Sequence, residues 1–173
     1  MKLVPLLLVL LLAGCGHPLV QPEPVYPSAA PFEAVVYLEQ EDREGRGILR
    51  RETGGLFLTL EEPREVDGLA FAQEPGEGLV LSLGELSVQL PPDSLPASAP
   101  FRLLKECLEQ APLLPLEEQE DGSWAAQGTC SGGAFRLWVD RESGKFLRLE
   151  VSQESFLVTF ENLRFSLEGE GRP

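Results

Sequence analysis

The chain has 173 residues, an apolar content of 43% and a formal net charge of −14. That length corresponds to one domain, and the apolar content is that of a globular protein able to bury a proper core. So acidic a surface argues against nucleic acid and against an anionic membrane surface as partners, because both would repel it. We interpret the charge chiefly as a solubility feature, with an acidic docking face as the alternative.

The N-terminal segment indicates secretion. A short basic start, an apolar run that ends near Leu12 and small residues before Cys15 predict a signal peptide over residues 1–14. The run is too short for a permanent membrane helix, which needs about 20 residues. The stretch Leu12-Ala13-Gly14-Cys15 resembles the lipobox of bacterial lipoproteins. This resemblance implies that Cys15 carries a diacylglyceryl group and becomes the mature N-terminus, so that the protein is extracytoplasmic and lipid-anchored to the bacterial cell membrane. The alternative is an ordinary cleavage that leaves Cys15 as an incidental thiol.

Residues 15–31 are predicted to be the lipidated cysteine and a proline-rich tether. Five prolines fall within residues 16–31 and favour an extended polyproline II conformation. At about 3.1 Å per residue, the tether would reach roughly 50 Å from the bilayer. His17, the single histidine of the chain, lies in this tether. A Ser-His-Asp or Cys-His site in the folded domain is therefore excluded.

Residues 32–167 show the pattern of a β domain, and residues 168–173 form a polar tail. Short runs of alternating apolar residues are separated by Gly, Pro and acidic turns, which predicts an antiparallel meander of about ten strands. We expect each strand to bury its alternating apolar face. Asn162 interrupts the alternation of the last strand, as a β-bulge would. Examples of the inward-facing sets are Leu56, Leu58 and Leu60; Leu86, Val88 and Leu90; and Leu147, Leu149 and Val151.

One segment has helical periodicity instead. From about residue 100 to residue 111 the apolar residues fall three and four apart, which predicts an amphipathic helix with Ser98 as a possible cap and Pro112 at its end. A sheet with one apolar face needs a cover, and this helix is the natural one. The predicted fold class is therefore mainly β, a strongly curved antiparallel sheet (half-barrel) packed on one helix. A two-sheet sandwich is the alternative.

Two cysteines remain after Cys15. Cys107 and Cys130 are an even number in a compartment that permits disulfides. A bridge between them would be worth roughly 3 kcal/mol on the chain-entropy model. Two buried free thiols, acting as small apolar residues, are the alternative.

A group of aromatic residues is predicted to lie on the outer face of the sheet, opposite the main apolar face. One interpretation is ordinary partial exposure, or a core that extends to both faces. The other is a contact patch, because Trp, Tyr and Arg are enriched in binding hot spots. The residues of this possible patch are Tyr37, Phe57, Arg136, Trp138 and Phe146.

Most catalytic signatures are absent from the sequence. There is no Gly-x-Ser-x-Gly, no phosphate loop, no dinucleotide fingerprint and no histidine-rich metal spacing, so we predict no enzyme, no metal and no cofactor. Carboxylate clusters occur at predicted turns, where a glycosidase pair or a calcium site would be the functional interpretation and solvated turns the ordinary one. These clusters cover residues 39–44, 61–67 and 117–121.

A lipobox, a proline tether and a meander interrupted by one helix together resemble the LolA/LolB-like half-barrel lipoproteins. The hairpin around Phe135-Arg136-Leu137-Trp138-Val139-Asp140 and Ser143-Gly144 resembles one that such domains often carry near their C-terminal end. The resemblance implies either lipid or acyl-chain carriage in a groove, or protein binding as in spore germination lipoproteins of the GerS type.

The function predicted first is a non-catalytic envelope lipoprotein that binds a protein partner. The second is a carrier that holds a lipid or acyl chain between sheet and helix, and the third is a hydrolase that uses carboxylates. A carrier needs an apolar cavity of some hundreds of Å³. A partner-binding domain can be packed solid and expose an apolar patch instead.

Overall fold

The structure, a computed structural model, describes residues 30–53, 55–74 and 76–166. The predicted signal peptide, Cys15, most of the tether and the polar tail lie outside these residues. Eleven strands and one α-helix follow each other along the chain. They are β1 (Phe32–Gln40), β2 (Arg43–Glu52), β3 (Gly55–Glu62), β4 (Leu69–Gln73), β5 (Leu79–Leu83), β6 (Leu86–Leu90), α1 (Pro100–Gln110), β7 (Leu116–Glu118), β8 (Trp124–Cys130), β9 (Gly133–Val139), β10 (Phe146–Val151) and β11 (Phe156–Phe165).

All eleven strands belong to one open antiparallel sheet. Their order is β6-β5-β4-β3-β2-β1-β11-β10-β9-β8-β7, so β6 and β7 are the two edges. Strands that are consecutive in sequence pair with each other, except β6 and β7, and β1 pairs with β11 to join the two halves of the sheet. The prediction of a mainly β, antiparallel half-barrel with one helix is confirmed. Among the described residues, no helix is long and apolar enough to cross a membrane.

The sheet is strongly curved, as its contacts with α1 require. β4 and β8 are seven strand spacings apart in the sheet order, which in a flat sheet would be roughly 34 Å. A helix with its side chains is only about 10–12 Å wide. Yet Phe101 of α1 stacks on Phe71 of β4, and Cys107 of α1 is a neighbour of Cys130 of β8. Both arms of the sheet therefore fold inward around the helix.

The predicted apolar stripe of the helix is the centre of the core. Phe101, Leu104, Cys107 and Leu108 are all buried, as is Ala111 in the 3₁₀ turn that follows α1. The predicted cap is wrong, because the N-cap is Ala99 and no side chain caps the helix. The Ser98 carbonyl instead accepts a hydrogen bond from Gln40 at 2.9 Å. The first turn of α1 starts with Pro100, which has no N–H to satisfy.

The bulge predicted at Asn162 is confirmed. Asn162 has a φ of 52°, and the register between β1 and β11 shifts between the Glu33–Arg164 pair and the Val35–Glu161 pair. Asparagine tolerates this left-handed conformation better than most residues. Because of the extra residue, the side chain of Leu163 faces the core, where it is 4% exposed.

A second bulge, in β10, overturns the predicted faces of that strand. The register with β9 shifts between Phe146 and Arg148. As a result Phe146 is 1% exposed in the core, and Leu147, predicted to face inward, is 43% exposed. The ring of Phe146 packs edge-on against Phe32 and Phe160 at centroid distances of 5.4 and 5.7 Å. The assignment of Phe146 to the outer contact patch was therefore wrong.

The predicted burial of strand β6 is also wrong. Its apolar residues do alternate, but Leu86 is 74% exposed and Val88 is 54% exposed. Leu83, at the end of β5, is 46% exposed. Alternation indicates which face of a strand is apolar, whereas burial depends on whether another element reaches that face. Here α1 covers the middle of the sheet and leaves this edge bare.

Candidate functional site

An apolar groove opens between the sheet and the N-terminal end of α1. Its volume is about 650 Å³, within the range of ligand pockets. The sheet contributes residues from β1, β2, β3, β4 and β11, and the chain before α1 closes the other side. The apolar lining consists of Leu38, Leu58, Leu60, Pro63, Val66, Phe71, Leu95, Ala99, Pro100, Phe101 and Phe156.

Two stacked rings form one wall of the groove. The rings of Phe71 and Phe101 are 5.4 Å apart between centroids and inclined by 19°. Phe101 is fully buried, whereas Phe71 is half-buried because its other side faces the groove. Stacked aromatic pairs hold each other in place. The wall therefore presents a fixed apolar surface to anything that enters.

The rim of the groove is polar, in contrast to its base. Gln40 and the exposed side chains of Asp42, Arg43, Glu44 and Glu62 surround the opening. These residues belong to the end of β1, the β1–β2 turn, the start of β2 and the end of β3. An apolar interior with a hydrated rim suits a ligand that has an apolar tail and a polar head.

A loop of residues 91–99 forms the outer border of the groove, and three side chains pin it. Gln40 Nε2 donates to the Ser98 carbonyl at 2.9 Å, and Arg102 Nη1 donates to the Leu95 carbonyl at 3.0 Å. Ser131 Oγ donates to the Ala97 carbonyl at 3.0 Å. Sequence reasoning missed this loop. Its prolines at 91, 92 and 96 could have indicated an extended connection that crosses the open face.

Glu106 links two of the three pinning residues, Arg102 and Ser131. Its carboxylate accepts hydrogen bonds from Arg102 Nε at 2.9 Å and from the backbone N–H of Ser131 at 2.6 Å. Desolvation alone would raise the pKa of Glu106. The hydrogen bonds from Ser131 and the ion pair with Arg102 outweigh it, so this pKa lies below its ordinary value.

The lowered pKa of Glu106 predicts that acid loosens the loop. Stability from a carboxyl group with a depressed folded pKa is complete above its unfolded pKa, about 4.3, and disappears as pH falls through the folded pKa. We expect E106Q to lower the melting temperature at pH 7 and to flatten its decline between pH 5 and pH 3. Thermal unfolding across this range measures the effect. E109Q, which alters an exposed pair with Lys105 on the same helix, is the matched control. Parallel curves for E106Q and the wild type would contradict the role of Glu106.

The two cysteines meet between α1 and β8. Both are free thiols in the structure, with Cys107 buried and Cys130 half-buried. Burial raises the pKa of the Cys107 thiol, and the adjacent Cys130 raises it further. In residues 16–173, which lack Cys15, we expect a C130S variant to resist alkylation at pH 8 when folded and to react in denaturant, because the thiolate is the reacting form.

The bridge between Cys107 and Cys130 remains a proposal. Alkylation of wild-type protein in denaturant without reductant would label no thiol in a bridged pair and both in a free one.

The predicted contact patch does not assemble as one surface. Arg136 and Trp138 do come together on the outer face of β9, where guanidinium groups lie over the indole ring at 5.4 Å from Arg136 and 5.1 Å from Arg148. Tyr37, which is 38% exposed, lies on β1, with two strands between it and Trp138. Phe57 is on β3 and pairs in register with Arg50 and Ala72.

The carboxylate clusters lie at turns and strand ends, where most of them are exposed. Within residues 30–53, 55–74 and 76–166, no group of three or more His, Cys, Asp or Glu side chains is arranged to hold a metal ion. Asp121 illustrates their ordinary role, since hydrogen bonds from Ser123 to its side chain stabilise the turn between β7 and β8 and lower the pKa of Asp121.

Comparisons with known proteins concern the fold. No protein-family profile matches the chain, and no curated protein matches it either. Among solved structures, an uncharacterized conserved protein from Thermus thermophilus is similar at 15% identity and a TM-score of 0.51, over 83% of this chain and 86% of that one. At that identity, the likeness shows a shared fold.

Two other solved structures are similar over comparable lengths. The LolA superfamily protein NE2245 from Nitrosomonas europaea is 11% identical, with a TM-score of 0.38, over 80% of this chain and 87% of that one. One chain in the structure of the CwlD amidase from Clostridioides difficile in complex with the GerS lipoprotein is 14% identical, with a TM-score of 0.43, over 81% of this chain and 84% of that one. The structures that this chain resembles thus include a LolA superfamily protein and a complex that contains GerS.

Proposed function

We propose that the protein is a non-catalytic carrier that holds an acyl chain of a lipid or lipoprotein in the groove beside α1. The observation that supports this proposal is the apolar groove of about 650 Å³ with its polar rim. An acyl chain that buries about ten methylenes there would gain roughly 8 kcal/mol before the cost of association. The cost of association offsets part of this gain, so we expect long acyl chains to bind and short ones not to bind.

We further propose that Cys15 anchors this carrier to the outer surface of the bacterial cytoplasmic membrane or to an outer membrane. The support is the lipobox-like stretch Leu12-Ala13-Gly14-Cys15 and the tether of residues 15–31. Two acyl chains suffice for stable anchoring. A C15A variant should therefore leave the membrane fraction, and its continued presence there would refute the anchor.

Titration with a fluorescent fatty acid tests the carrier function. We expect saturable binding and displacement by palmitate. A short-chain acid such as butyrate is the control, because it shares the carboxylate and lacks the tail. Failure of palmitate to compete, or equal competition by butyrate, would contradict acyl-chain carriage.

Binding of a protein partner is a second candidate function. The observation that favours it is the exposed apolar edge strand β6, where Leu86 and Val88 are largely uncovered. Exposed apolar surfaces of this kind often mark sites of interaction. The two functions are compatible, because the groove and the edge strand are separate parts of the inner face of the sheet.

A further inference from the structure

Strand β6 is an open edge without the usual protection. Among the described residues it pairs with β5 alone, and it contains no charged residue and no proline. Natural proteins normally protect a free edge by making its strand very short, or with charges, proline or a bulge. The opposite edge, β7, follows that rule, since it is three residues long and ends in Glu117 and Glu118. The exposed edge of β6 therefore calls for a functional explanation.

The register of the β5–β6 hairpin identifies which backbone groups are free. Gly84 and Glu85 connect the closing pair Leu83–Leu86, as in a two-residue hairpin, whose closing pair is hydrogen-bonded. Hydrogen-bonded and non-hydrogen-bonded pairs alternate in an antiparallel ladder. The N–H and C=O groups of Ser87 and Gln89 consequently point away from β5, toward an additional strand.

The side chains of β6 favour an apolar partner on one face. Leu86 and Val88 are exposed on the inner side of the sheet, next to Leu83. In the sheet register, Val88 is opposite Leu81, which is opposite Phe71 at the groove wall. An added strand with apolar residues at alternate positions would extend this inner apolar surface.

The charge around β6 has one sign. Between Arg64 and Arg102 the chain contains no Lys, Arg or His, and its charged residues there are Glu65, Asp67, Glu74, Glu77, Glu85 and Asp93. Glu85 precedes β6 directly, and Asp93 follows it by three residues, so both ends of the strand carry a carboxylate. A second copy of this chain would bring the same carboxylates and a net charge of −14 to the contact, which disfavours self-pairing. A partner with basic residues at the ends of its strand would be complementary instead.

We propose that the free edge of β6 binds an extended segment of a partner protein, in which alternating apolar residues are flanked by Lys or Arg. The segment adds as a twelfth strand, bonds to the backbone of Ser87 and Gln89, and packs its apolar residues beside Leu86 and Val88. Backbone bonds supply affinity in such strand addition, and the side chains select the sequence. This inference rests on the second proposed function, partner binding, and specifies the partner; it does not depend on the groove or on the carrier function.

Fluorescence anisotropy of a labelled peptide, Lys-Leu-Thr-Val-Thr-Leu-Lys, tests the proposal. The full chain is kept in phosphatidylcholine nanodiscs, with empty nanodiscs as the blank. We expect saturable binding that weakens as salt is added, and at least tenfold weaker binding when Glu replaces both Lys residues. Q89P should weaken binding at least tenfold, because it removes an outward-pointing N–H that the fold does not use. The matched control Q89A keeps that N–H and should bind like the wild type.

Three results would overturn the proposal. They are equal binding by Q89P and Q89A, equal binding of the Lys and Glu peptides, and sedimentation of the wild type as a dimer that Q89P converts to a monomer. The last result would identify a second copy as the occupant of the edge. Palmitate binding by Q89P should equal that of the wild type, so failure of this proposal is distinguishable from failure of the carrier function.

Discussion

Replacing Leu60 with Trp is expected to weaken acyl-chain binding at least tenfold with little loss of stability. Leu60 is half-buried on β3 and lines the groove. A tryptophan at this position would extend into the space that the acyl chain is proposed to fill. Because that space is open, the larger side chain does not overpack the core, unlike an insertion at a fully buried site. The fluorescent fatty acid titration measures the change.

Thr59 provides the matched control for this substitution. It is adjacent to Leu60 on β3 and therefore lies on the opposite face of the sheet. T59W adds the same side chain to the same strand and should bind the fatty acid like the wild type. Wild-type affinity in L60W, or an equal loss in T59W, would contradict acyl-chain binding in the groove.

Replacing Leu104 with Ala is expected to destabilise the protein by about 2–5 kcal/mol. Leu104 is fully buried on the face of α1 that the curved sheet surrounds. Truncation would remove apolar contacts and leave a cavity where the two arms of the sheet meet the helix. Since domains are stable by only about 5–15 kcal/mol, this is a large fraction of the total. Urea unfolding, followed by tryptophan fluorescence, measures the loss.

The neighbouring residue Lys105 gives the control for α1. Its side chain forms an i,i+4 ion pair with Glu109, at 3.1 Å, and does not belong to the buried apolar core. Surface pairs of this kind contribute about 0.3–0.5 kcal/mol, so K105A should be nearly neutral. A loss in L104A no larger than that in K105A would show that α1 is not the centre of the core.

Much of the fold could be predicted because its elements follow simple periodicities. The three- and four-residue spacing of Phe101, Leu104 and Leu108 identified the helix and its buried face. Alternation identified the strands, and Asn162 marked a bulge because asparagine accepts a positive φ. Each strand has one apolar face, and the chain has a single amphipathic helix. The apolar face of the sheet and the apolar face of the helix can be buried together in few ways other than against each other.

The features that could not be predicted depend on contacts between distant segments. In β10 both Phe146 and Leu147 are apolar, so the pattern gave no sign that a bulge would bury the first and expose the second. In β6, alternation could not indicate that α1 would leave Leu86 and Val88 uncovered. The groove has no local signature, because its lining comes from segments far apart in the sequence: the 91–99 loop, α1 and several strands.

The most direct test of the carrier function is native mass spectrometry of residues 16–173, purified without lipidation from a cell extract. We expect the folded protein to carry additional mass in the range of a fatty acid or phospholipid, and denaturation to release it. The L60W variant, purified in the same way, should show less of this mass because its groove is filled. A bare monomer mass for the wild type, even after incubation with membrane lipids, would contradict the central claim that the groove holds an acyl chain.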